Sequence, residues 1–221
     1  ENFLWAVRCH LHIFTQRPSD QLSFDLQVEV SERMGYQDTE ARRAVELFMQ
    51  DYFTHATRVG DITRIFLTAL EAKHVKEMPL LQRIFRRLPK IKDPYIVSQN
   101  RLSVKSFDEF LRDKLNLLRL FEEALRTGLL IHPDAMRAVS ANIHLFDEQM
   151  RQDKEAQRIF MDLLIKHGNP ERALRRMNEL GALAAFIPEF QPIVAMMQFN
   201  MYHSYTVDEL SLIHISEPTR P

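Results

Sequence analysis

Three groupings of side chains along the 221-residue chain are of types that could do chemistry. His10 and His12 stand two apart, Arg8 and His12 four apart, and Arg172, Arg175 and Arg176 fall within one short run. Imidazoles ligate metals or move protons, and guanidinium groups bind phosphates or carboxylates. Spacing decides what each grouping can do. Residues two apart on a helix point in different directions, so His10 and His12 cannot chelate one ion together and read as structural. Arg8 and His12 share a face, which reads first as an ordinary polar face. The arginine run carries Glu171 and Glu179 on the same helix, so it reads first as a solvated, internally offset face.

The carboxylates are less promising. Asp108-Glu109 and Glu122-Glu123 are adjacent pairs, which diverge on a helix rather than converge on one proton or metal, and both read as solvated surface. Asp25 and Gln27 suit hydrogen bonding at a helix end. Met196, Met197 and Met201, with Ile193 and Phe199 nearby, read as filler for a core or a domain interface, because flexible thioethers fill irregular gaps. No acid, base and nucleophile group themselves along the chain, so no catalytic and no metal-ligating residue is assigned.

Elements that would position these residues follow from apolar spacing. Leu4, Val7, Leu11 and Phe14 mark a helix over Phe3–Phe14, broken by Arg17-Pro18-Ser19-Asp20. A second helix runs from about Leu22 to Met34 and is closed by Gly35. Asp38 then caps a long helix carrying Ala44, Val45, Phe48, Met49, Tyr52 and Phe53, which can continue past Gly60 to Leu70, with a kink or break expected near Gly60. The pattern weakens from Met78 to Pro94. Tyr95-Ile96-Val97 and Leu102-Ser103-Val104 flank Ser98-Gln99-Asn100-Arg101, which predicts a β-hairpin. Helical spacing resumes at Phe107 and continues to Gly128; another helix starts at Pro133, and Asp153 and Asn169 are further N-caps. The fold class expected is mainly α: an irregular antiparallel helical bundle with a small β-hairpin near 95–104.

Composition excludes several function classes. A formal charge of −1 gives no field to draw in nucleic acid or an anionic membrane. No apolar run approaches the roughly 18 to 20 residues of a membrane span. The single cysteine, Cys9, builds neither an internal disulfide nor a thiolate cage, and a reducing cytoplasm is the expected compartment.

Three stretches resemble the bacterial PII uridylyltransferase/uridylyl-removing family: Phe3 to His12 (FLWAVRCHLH), Leu22 to Gln27 (LSFDLQ), and Ile187-Pro188-Glu189-Phe190 continuing through Val194 to His203. Leu118-Arg119-Leu120-Phe121 and Ile131-His132-Pro133 extend the likeness, which runs to Glu209. The resemblance implies a parent with a nucleotidyltransferase domain, a helical domain, a His-Asp phosphohydrolase domain and small-molecule sensors. Such a parent transfers UMP from UTP to the PII signalling protein and removes it again, with magnesium as cofactor and glutamine as effector. Its own nucleotidyltransferase and phosphohydrolase domains would be further partners of this segment, which itself holds no cofactor. Arg8 and His12 would face the nucleotide-handling domain, and the Arg172–Arg176 run offers an alternative PII surface.

Departures from the family pattern locate the segment. No Gly is followed by Ser and no aspartates stand two apart, so the transferase motifs are absent. None of the 9 histidines is followed by Asp, and Leu210 stands where the family shows its first metal-binding His. Ser204 replaces a second His after His203. Leu210 to Arg220 looks like a translated sequencing adapter, which is expected to pack poorly. The expected organisation is a helical domain over 1–190, a linker and the start of the phosphohydrolase domain over 191–209, and a non-native tail over 210–221. The rival reading is a non-catalytic helical coupling module of a related signalling protein.

Overall fold

A computed structural model describes residues 2–74, 90–199 and 205–216. The chain divides into two compact units, residues 1–62 with 192–214 and residues 63–191 with 215–221. The expectations for Met78–Pro89, and for Met201, His203 and Ser204, lie outside the described residues.

The first unit holds α1 (Asn2–Thr15), α2 (Phe24–Arg33) and the start of α3 (Ala44–His74). The expected four-residue spacing puts Val7 and Leu11 of α1 into a core with Val30, Val45, Phe48, Met49 and Met197. Phe48 is its centre: Phe3 lies 6.2 Å away and Tyr36 meets its ring edge-on at 5.6 Å. Burying an aromatic side chain of this kind contributes about 2–3 kcal/mol. Residues 194–199 have no regular structure of their own and are pinned by α3. Gln50 Nε2 donates to Val194 O at 2.9 Å, and Phe199 N donates to Glu46 Oε1 at 3.2 Å. Phe199 also stacks on Phe24 with ring centres 4.0 Å apart, and Met197 enters the core, the role its thioether suggested.

Two details of α3 bear on the expectations. Asp38 does serve its first turn, accepting the Ala44 N–H at 2.7 Å from six residues ahead. The helix does not break at Gly60 but runs through it to His74. An interior glycine costs about 1 kcal/mol relative to alanine, which a helix of 31 residues absorbs.

The second unit begins at its described part with β1 (Tyr95–Ser98) and β2 (Arg101–Val104), paired antiparallel with Tyr95 opposite Val104 and Ser98 opposite Arg101. Gln99 and Asn100 carry φ of 51° and 60°, the two positive values that a two-residue hairpin turn needs. A third strand, β3 (Leu130–Ile131), pairs parallel to β2 and was not expected from sequence. The helix expected from Phe107 to Gly128 is two, α4 (Phe107–Arg112) and α5 (Asn116–Thr127). Asp113 separates them with extended backbone, while Asn116 Nδ2 ties the second back to Phe110 O at 2.9 Å.

Helices α6 (Pro133–Ala141), α7 (Glu148–Gln152), α8 (Lys154–Ile165), α9 (Pro170–Glu179) and α10 (Ala182–Phe186) complete this unit. Leu117, Leu118, Leu120 and Phe121 of α5 are fully buried, and α5 packs against α8 and α9. Asp153 caps α8 by accepting from Glu155 N and Ala156 N, and Asn169 caps α9, as their residue types suggested.

The poor packing expected for residues 210–221 is corrected for the described part. Helix α11 spans Val207–Ser216, Leu212 is fully buried and Ile213 half-buried. Burial asks only for an apolar side chain that meets other apolar groups, which Leu212 supplies whatever its origin.

Gly60→Ala tests the unbroken α3. The position is exposed with open space around it and no positive φ, so the substitution is expected to stabilise the chain by about 0.5–1 kcal/mol in urea denaturation. Destabilisation would show a turn at this point.

Candidate functional site

The end of α1 builds the one polar cluster that gathers both sequence-selected residues. Thr15 Oγ1 donates to Leu11 O at 2.8 Å, and Gln16 takes a left-handed φ of 54°. With Pro18 following, the chain cannot continue as helix and reverses. The reversal carries Asp20 back alongside α1. Arg8 donates to it twice, Nε to Oδ1 at 2.8 Å and Nη2 to Oδ2 at 3.2 Å, and His12 Nε2 stands 3.1 Å from Oδ1. Arg8 also lies over the Trp5 ring at 5.5 Å.

The Arg8 hydrogen bond, then that of His12, holds the Asp20 carboxyl below its ordinary range. The carboxylate side chain remains 66% exposed, so water screens the pair and the cluster adds little to stability. Its donor set does not suit magnesium, which wants several oxygens: it offers one carboxylate, already bound by a guanidinium. His10 does not join it. Among the described residues no group of three or more His, Cys, Asp or Glu is placed to hold a metal.

Several other titratable groups are tied within the fold. Glu123, read from sequence as solvated, is instead buried in α5 and takes Arg126 Nη2 and Nε at 2.5 and 2.8 Å and the Lys92 N–H at 3.2 Å. Burial works to raise its pKa, but the Arg126 bond and the Lys92 amide outweigh that, and the carboxyl sits below its ordinary value. The acid-base spacing Glu123–Arg126, three apart on one helix, was the sequence signal for this pair. Its neighbour Glu122 is half-buried near His167 at 3.5 Å. Asp108 and Glu109 are exposed, as expected. Asp25 is exposed in the first turn of α2, and Gln27 Nε2 reaches Leu22 O at 3.4 Å.

The arginine run is spent too. Arg172 Nη2 donates to Gly128 O at 2.9 Å, Arg175 pairs with Glu171 at 2.7 Å and Arg176 with Glu179 at 2.5 Å. With Phe121, Leu125 and Ile131 these arginines edge a cleft of about 110 Å³, mostly apolar and far smaller than a nucleotide pocket.

His132, unselected from sequence, caps α6. Its Nδ1 accepts the Asp134 N–H at 3.2 Å, which places the ring proton on Nε2, 3.3 Å from Gln99 Oε1 in the hairpin turn. Burial lowers its pKa from 6.5 despite the opposing pull of Asp134.

The fold is mainly helical, and the side chains of Arg8, Glu123, Arg172, Arg175 and Arg176 all have partners within it. The family described as GlnD PII-uridylyltransferase matches residues 1–67, and the family described as uridylyltransferase GlnD third domain matches residues 95–186. The chain belongs to this PII-uridylyltransferase family. It is 71% identical over 209 residues to the bifunctional uridylyltransferase/uridylyl-removing enzyme of Ruegeria pomeroyi, covering 95% of this chain and 23% of that protein. It is 65% identical over 216 residues to the enzyme of the same description from Cereibacter sphaeroides, covering 98% and 23%. The chain thus spans about a quarter of the length of the curated relatives it matches. No solved structure matches it.

Arg8→Met is expected to move the Asp20 titration upward toward 3.8, read by side-chain carboxyl NMR; an unmoved midpoint would show the pair unformed in solution. His132 gives a second test. Its folded pKa lies below its unfolded one, so its contribution is full above about 6.5 and is lost as pH falls through that value toward the folded pKa. His132→Asn, which keeps a capping oxygen without the titration, is expected to flatten this part of the stability profile between pH 7.5 and 5.5. A profile unchanged by the substitution would contradict the cap.

Proposed function

We propose that this chain is the helical module beside the transferase site of a bifunctional PII uridylyltransferase/uridylyl-removing enzyme. The parent transfers UMP from UTP to PII and removes it again, with magnesium at the nucleotide and glutamine as the effector, in the cytoplasm. The module supplies scaffold, and the carboxylates for magnesium come from other parts of the longer polypeptide. No helix among the described residues is long and apolar enough to cross a membrane. Arg8 and His12 are the residues through which the module faces the nucleotide-handling domain.

One observation carries the reading: a chain 71% identical to an enzyme so described has its candidate polar groups matched to partners within the same fold. A group committed to an internal ion pair is poorly placed to ligate magnesium or triphosphate, and well placed to hold a helix where a neighbour needs it.

The test is a chimera in which residues 1–209 of this chain replace the aligned segment of the Ruegeria pomeroyi relative. UMP transfer to PII is expected within about tenfold of the unaltered relative's kcat/KM. A folded chimera without transfer or removal activity would favour the helical coupling module instead.

A further inference from the structure

Helix α1 is apolar on two sides. Val7 and Leu11 face the core, while Trp5, Cys9 and Ile13, four apart in succession, fall within about 80° of one another on the outward side. Trp5 is 58% and Ile13 60% exposed, and Cys9 is exposed between them. Surface helices of soluble domains keep the side opposite the core polar, and one that is apolar all round belongs inside a larger structure. The polar groups flanking this stripe are the Arg8–Asp20–His12 cluster, so an apolar strip is bordered by a charged rim, the layout of an interface.

We infer that the Trp5–Cys9–Ile13 face is the seat of another domain of the same polypeptide, with Trp5 as the buried anchor and Arg8 and His12 at the rim. About three quarters of the length of the curated relatives lies outside this segment, so a covalently linked partner is at hand. A second copy is a poorer occupant. A stable dimer buries about 1,200 Å² or more, beyond the reach of three side chains on one helix. A linked domain needs less contact, because tethering holds it at roughly millimolar effective concentration. This inference rests on the reading of the chain as part of a longer polypeptide, not on the reaction that polypeptide performs.

Cys9, the sole cysteine of the chain, reports the cover directly. In the chimera described above, with the relative's other cysteines replaced, its reaction with a thiol reagent is expected to be at least about tenfold slower than in the 221-residue chain alone. Equal rates would overturn the inference, as would protection in the short chain that grows with its concentration, the sign of a second copy. Should cysteine replacement unfold the chimera, Ile13→Asp serves in its place. Ile13→Asp is expected to leave the thermal midpoint of the short chain within about 1 °C and to lower that of the chimera by several degrees. A shift of the same size in both would overturn it. UMP transfer in the chimera is read separately, so a failed activity and an uncovered face are distinguishable.

Discussion

A carboxylate taken out of water inside a helix has to be matched on the spot, and Glu123 is matched by the side chain of Arg126 and the backbone N–H of Lys92. Leaving that buried carboxylate without its partners costs several kcal/mol, up to about 3–5, whereas Arg126 is partly in water. The same guanidinium donates to Lys90 O, so the pair also fixes the chain on its way into β1. Strand β1 holds β2, and β2 holds β3 and, through Leu102 O, the His132 N–H at 2.7 Å that opens α6. The ion pair in α5 thereby holds the chain where it enters the sheet, whose β1–β2 register is fixed by the Gln99-Asn100 turn.

The first unit uses charge in the same way at its surface. Arg8 and His12 meet Asp20, Arg33 meets Glu29, and Tyr36 donates to Asp51 at 2.5 Å. Each contact is worth little alone in water. Together they give Arg8 and His12 of α1 and Glu29 and Arg33 of α2 partners within the fold. What α1 leaves unmatched is apolar, and apolar surface calls for a covering surface rather than for a substrate.

Much of this was legible in the sequence where the governing interactions are local. The ends of α1 and α2 came within two residues of expectation, the hairpin turn fell on Gln99-Asn100, and Asp153 and Asn169 capped the helices they precede. Contacts between distant parts of the chain were not legible. Strand β3 is two residues long and exists only because β2, some thirty positions earlier, offers it an edge. Glu123 looked solvated because one of its partners, the Lys92 N–H, lies 31 positions away, which no window of residues reports. Arg8 and His12 were recognised as sharing a face, but their partner Asp20 was visible only as part of the turn Arg17-Pro18-Ser19-Asp20 that breaks the helix. Gly60 misled because a single glycine is a weak breaker against the packing of a long helix.

We propose that these residues serve as a scaffold and that the nucleotide is handled by other parts of the longer polypeptide. Calorimetric titration of magnesium-UTP into the 221-residue chain tests it most directly. No saturable heat is expected at concentrations up to about 1 mM, where an enzyme's nucleotide site would fill. Stoichiometric binding that is lost on Asp20→Ala or Arg8→Ala would contradict it, and would place a nucleotide site on α1 itself.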